Sequence, residues 1–70
     1  MYWRYYLPYR PAGPGSIPRG AEFVHNYDWK TVVPEAGMAV YGYADYKQPL
    51  SESDIRNYEL VADSRNPLPF

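Results

Sequence analysis

Hydrophobic and polar positions alternate in three separate runs of this chain, and glycine or proline lies close to each. In residues 2–7, Trp3, Tyr5 and Leu7 fall on one side of an extended strand, and Tyr2, Arg4 and Tyr6 on the other. The arginine marks that second side as the wetter one. In residues 21–28, Phe23, His25 and Tyr27 share one face and Glu22, Val24 and Asn26 the other; the alternation is imperfect but predicts a strand. Pro34 and Gly37 make residues 31–37 a loop. Residues 38–46 carry the strongest strand signal, with Met38, Val40, Gly42, Ala44 and Tyr46 alternating against Ala39, Tyr41, Tyr43 and Asp45. Gly42, without a side chain, predicts a bulge or a close approach by another element.

The period then changes. Ser51 stands at an N-cap position with Asp54 three residues on, a short variant of the capping box, and Leu50 and Ile55 have the spacing of a hydrophobic staple. Glu52 and Asp54 suit the positive end of the helix dipole. These signals predict a helix over 52–58 with Ile55 and Tyr58 facing inward, too short to persist unless docked on a sheet. Residues 59–63 read as a closing strand with Leu60 on the core side, and residues 64–70, with Pro67 and Pro69, are expected to fray. The fold expected is α+β: a small antiparallel sheet of three to four strands with one short helix near the C-terminus. Residues 1–63 form the single domain and 64–70 a flexible tail.

Between the first two strands, residues 8–20 hold Pro8, Pro11, Pro14 and Pro18 with Gly13, Gly15 and Gly20, which excludes helix and central strand. Pro8, Pro11 and Pro14 recur at the polyproline II period. Such a stretch could dock in an aromatic groove of another protein, but a small core has use for it at home. It is expected to lie across the protein's own aromatic sheet.

Composition sharpens this picture. The chain has 70 residues and no cysteine, so disulfides and thiolate metal sites are excluded, and a single His leaves no ligand set for a structural zinc. No cofactor is expected. Two Trp, two Phe and nine Tyr supply 19% of the residues, and rings burying about 150–250 Å² each can stand in for missing staples. Every tyrosine hydroxyl must then reach water or a partner. Net charge is −1, which implies neither a polyanion nor a polycation as partner. Residues 1–21 nevertheless hold Arg4, Arg10 and Arg19 and no acid, whereas residues 35–70 are mildly acidic. No apolar run approaches the ~20 residues that span a membrane, and the aromatic start has no signal-peptide core. A cytoplasmic location is the default expectation.

Catalytic chemistry finds little to stand on. His25 is the only imidazole; Ser51 is explained as a cap and Ser16 sits in the Pro/Gly segment, so no nucleophile is assigned to it. Glu52 and Asp54 have a local role, and nothing forces two carboxylates together. Gly13, Pro14 and Gly15 make no phosphate cradle, because Pro14 lacks the N–H that such a loop uses. A non-enzymatic binding protein is expected. Trp3, Arg4, Tyr6, Tyr9, Arg10 and Arg19 are the candidate contact residues. Rings for stacking and cations for phosphates also fit weak binding of single-stranded nucleic acid. Eight acids against seven bases give no dense acidic face for mimicry of DNA.

Three stretches carry a resemblance: the aromatic start running through Tyr9, Arg10, Pro11, Ala12, Gly13, Pro14, Gly15, Ser16, Ile17 and Pro18; Val40 to Tyr46; and Pro49, Leu50 and Ser51 leading to Tyr58, Glu59 and Leu60. Over most of residues 1–62 the chain resembles short defence-against-restriction-related proteins of conjugative transposons and other mobile elements in Gram-positive bacteria. The matching motifs are structural and carry no catalytic residue. The resemblance implies an accessory role in a mobile element, the protection of incoming DNA from restriction. A protein is the principal partner expected for such a binding module.

Overall fold

The computed structural model describes residues 1–10 and 15–69. Pro11 and Pro14 of the polyproline repeat lie outside them. Four strands and a helix follow in the order β1 (Trp3–Leu7), β2 (Phe23–Val33), β3 (Met38–Tyr46), α1 (Glu52–Asn57) and β4 (Val61–Ala62). The strands form one antiparallel sheet in the order β2-β3-β1-β4. This is the small α+β architecture that the alternating runs and the capped helix predict.

β2 is longer than its alternation implies. It continues to Val33, so that only residues 34–37 turn, and Thr31, Val32 and Val33 pair with Val40, Ala39 and Met38. The Val33 carbonyl accepts from the amides of Ala36 and Gly37 at 3.0 and 3.1 Å, and Gly37 closes the turn at φ 71°, where glycine carries no Cβ penalty. Val32 and Val33 are strand formers that a loop assignment based on the following proline discounts.

β1 lies in the middle of the sheet and is covered on both sides. One side gathers Tyr5, Leu7, Ala44, Tyr46 and Leu60 beneath Ile17 of the Pro/Gly segment, Ala21 just after it, and Leu50, Ile55 and Tyr58 around the helix. The other gathers Tyr6, Val33 and Val40 with Tyr27, Tyr43 and Val61. Val40 thus leaves the cluster of Ala44 and Tyr46, although strand alternation groups the three. It does so opposite the irregularity in β2, where the register slips between Asn26 and Thr31.

The helix begins as expected: the Ser51 hydroxyl accepts from the Asp54 amide at 3.1 Å, and Leu50 and Ile55 both pack on the first cluster. Leu60, just before β4, is buried beside them.

Tyrosine hydroxyls tie the pieces together. Tyr46 donates to the Pro18 carbonyl at 2.7 Å, Tyr9 to the carbonyls of Ser16 and Tyr58, and Tyr5 accepts from the Leu50 amide at 2.9 Å. The described part of the Pro/Gly segment therefore lies across the protein's own sheet, held by hydrogen bonds as well as by ring contact.

The segment after β4, expected to fray, is docked instead. Leu68 is buried and exchanges backbone hydrogen bonds with Tyr2. The Asn66 side chain accepts from the Arg4 amide and donates to the Arg4 carbonyl, both at 2.8 Å, taking the place of a strand partner. Pro67 and Pro69 do not oppose this, because a short bridge needs few amide donors.

Candidate interaction surface

The six candidate residues do not form one surface. Trp3 and Tyr9 pack against the cluster that faces the helix, and Tyr9 is held there by its hydroxyl. Burial and the charge of Glu59 push the Tyr9 phenol up. Arg4 and Tyr6 point to the opposite side of β1. Arg10 is exposed, its guanidinium 5.0 Å from the centroid of the Tyr41 ring, and Arg19 is exposed beside Gly20. A strand places neighbours on opposite faces, so a run of aromatic and basic residues cannot present all of them together.

The side marked wetter by Arg4 is not wet. Arg4 pairs across the ladder with Asp45, its Nε donating to Oδ1 at 2.8 Å and Nη2 to Oδ2 at 2.9 Å. The guanidinium carbon lies 3.9 Å from the centroid of the Tyr43 ring. Asp45 is only 4% exposed. The hydrogen bonds that the guanidinium donates to Asp45 raise its pKa against the opposing effect of burial, so Arg4 stays charged. Arg4 is an internal cation whose partner lies 41 residues away in sequence.

Tyr6 meets a second polar anchor. Its hydroxyl donates to Asp63 at 2.8 Å, and Asp63 also accepts from the amide and guanidinium of Arg65. Burial alone would raise the Asp63 pKa, but the bonds from Arg65 and then Tyr6 outweigh it and hold the carboxyl at about 2 against an ordinary 3.8. Burial first, then Asp63, pushes Tyr6 from 10.0 up to about 12. Asp63 binds its proton less tightly when folded. Its stabilisation of about 2 kcal/mol is therefore complete above about pH 4 and is lost as the pH falls toward 2. The Tyr6 contribution has the opposite sense: it is present below pH 10 and lost through about 12. Urea titrations across acid pH should show Asp63→Asn less stable than the parent by about 2 kcal/mol at neutral pH, with the gap closing toward pH 2. A gap independent of pH would contradict this assignment.

What remains exposed lies chiefly on the β2–β3 hairpin. Phe23, Val24, Trp29 and Val32 of β2 are 55%, 46%, 73% and 75% exposed. Phe23 and His25 stack on Tyr43 with ring centroids 6.3 and 5.4 Å apart, and Tyr27 meets both His25 and Tyr43 edge-on. His25 thus belongs to a ring cluster, on the face it was expected to share with Phe23 and Tyr27. Beside this cluster, Tyr2, Arg4, Glu22, Phe23 and Asp45 line an open cleft of about 350 Å³. It combines the Tyr2 and Phe23 rings with the Arg4–Asp45 pair and the carboxylate of Glu22. Such a site suits an inserted side chain better than a free ion.

Tyr2, Phe23 and Trp29 were not among the expected contact residues. For Phe23 alone there was a signal, the broken alternation of residues 21–28, where Val24 takes a place that a half-buried strand gives to a polar residue. Among the described residues, no group of three or more His, Asp or Glu is placed to hold a metal, and no helix is long and apolar enough to cross a membrane.

Fold and surface together define a small antiparallel α+β domain with an aromatic cleft and an exposed apolar edge strand. The chain belongs to the family described as "Defence against restriction A C-terminal", whose model matches residues 1–65. Neither a curated protein nor a solved structure matches it.

Proposed function

We propose that this chain is a non-enzymatic interaction module of a mobile genetic element, acting in the cytoplasm and protecting incoming DNA from restriction by engaging a protein partner. Membership of the defence-against-restriction family supports the anti-restriction role. The observation that carries the choice of partner is the cleft between Tyr2 and Phe23, in which the one cation, Arg4, is already held by Asp45. A ring-lined cleft beside exposed apolar side chains can be desolvated by an anchor residue of a protein partner. No catalytic role is assigned to His25, whose contacts are the rings of Tyr27 and Tyr43.

Single-stranded nucleic acid is the second reading, favoured by Arg10 and Lys30 beside the Tyr41 ring at 5.0 and 5.8 Å. Against it, Arg4 is held by Asp45 on the opposite side of β1 from Trp3, so the expected combination of Trp3, Arg4 and Arg10 does not assemble.

A photoreactive phenylalanine analogue at Phe23 separates the two. Irradiation in restricting cells that receive unmodified DNA should give a crosslinked product that protease destroys and nuclease does not. A nuclease-sensitive product would install the second reading. No product at Phe23, with one at Arg10 or Arg19, would move the contact to the basic segment.

A further inference from the structure

We propose that the chain self-associates through β2, two copies lying antiparallel about a two-fold axis at Trp29. This is independent of the anti-restriction reading, since the partner is the chain itself. β2 is an edge of the sheet. Its register with β3 uses Phe23–Asn26 and Thr31–Val33 and leaves residues 27–30 without a partner residue. Trp29, in that gap, is 73% exposed. A ring with on the order of 150–250 Å² to bury is a large part of the ~800 Å² that each side of a specific interface contributes.

Charge selects the occupant and the register. Asp28 and Lys30 flank Trp29, both are exposed, and neither takes part in an ion pair among the described residues. With the axis at Trp29, Asp28 of each copy faces Lys30 of the other, Trp29 faces Trp29, and Tyr27 faces Thr31. Moving the axis to Asp28 sets Asp28 against itself, and moving it to Lys30 sets Lys30 against itself. A parallel, in-register pairing sets both against themselves. Opposite charges directly across strands attract and like charges repel, so one arrangement is favoured and its neighbours are penalised. The register shift sets residues 27–30 apart from the regular ladder on either side, so the contact is short and makes a weak dimer rather than an extended ladder.

Sedimentation equilibrium over a wide concentration range tests this. The parent chain should form dimers that dissociate on dilution. Lys30→Asp and Asp28→Lys should each weaken self-association by roughly tenfold, since both symmetry-related pairs turn repulsive. Mixing the two variants should give a heterodimer tighter than either alone, because all four charges then pair with their opposites. The double variant Asp28→Lys/Lys30→Asp should recover the parent's behaviour, and its recovery excludes misfolding as the cause of the single losses. A parent that stays monomeric at every concentration, or a mixture no tighter than its components, would overturn the proposal. Loss of dimerisation with the Phe23 crosslink intact would separate this contact from the partner site.

Discussion

Arg4→Met is expected to leave the chain close to unfolding in water at room temperature. The substitution keeps an unbranched apolar stem but removes the guanidinium, which lies over the Tyr43 ring and gives Asp45 both of its hydrogen bonds from Arg4. Asp45 is 4% exposed and cannot recover them from water. Removing one member of a buried ion pair costs about 3–5 kcal/mol. A domain of this length has roughly 4–10 kcal/mol of stability in total. Urea unfolding followed by tryptophan fluorescence should show the midpoint fall by half or more. Arg4→Lys should do only part as well as arginine, because an ammonium cannot make the two parallel bonds and lie flat on the ring. Arg4→Met combined with Asp45→Leu should recover most of the loss, since the cost lies in the abandoned carboxylate and not in the absence of charge. A single variant as stable as the parent would show that the pair contributes nothing, and that water reaches Asp45.

Gly42→Ala is the second large effect. A Cβ at Gly42 would collide with the His25 carbonyl oxygen and lie 3.1 Å from the Asn26 Cα. Both obstacles are backbone, so no rotamer change relieves them. Overpacking costs about 1–3 kcal/mol, and a backbone obstacle places this case at the upper end. Alanine would otherwise be the better strand residue by roughly 0.5–1 kcal/mol, so a loss of the expected size has to come from the collision. Amide chemical shifts should change through residues 23–33 of β2 and opposite them in β3, and remain near the parent's in the helix. An alanine variant of unchanged stability would mean that β2 does not cross β3 as closely as described.

These two residues also show what could be read from the chain before its structure. Gly42 was legible as a bulge or a point of close approach, the two uses of a glycine inside a strand pattern, and the His25 carbonyl makes it the second. The helix was legible because Ser51, Asp54, Leu50 and Ile55 act within a few residues of one another. Arg4 was read as the mark of a wet face, the usual place for a charge. Its burial depends on Asp45, and no local pattern connects the two. Leu68 and Asn66 were misread for the same reason: short segments rich in proline fray unless a distant strand offers them an edge. The candidate contact residues drawn from the N-terminal stretch mixed both faces of β1, because composition does not record which way a strand turns each side chain. The exposed surface instead comes from β2, where apolar residues occupy polar places without any distinctive motif.

The central position of β1 governs how this protein comes apart. Its neighbours are supplied by residues 42–46, by residues 61 and 62 and, through Asn66 and Leu68, by the segment beyond, so one contact closes a loop of 62 residues. Contacts that span the whole chain form slowly and only together. The β2–β3 hairpin, joined by its own turn, can open and close at its free edge without disturbing the rest. The amides of Tyr5 and Tyr6 have no such local route to solvent. Their hydrogen exchange should proceed only when the entire domain unfolds, which makes them reporters of its global stability, while those of residues 27–30 should exchange orders of magnitude sooner in the dilute monomer.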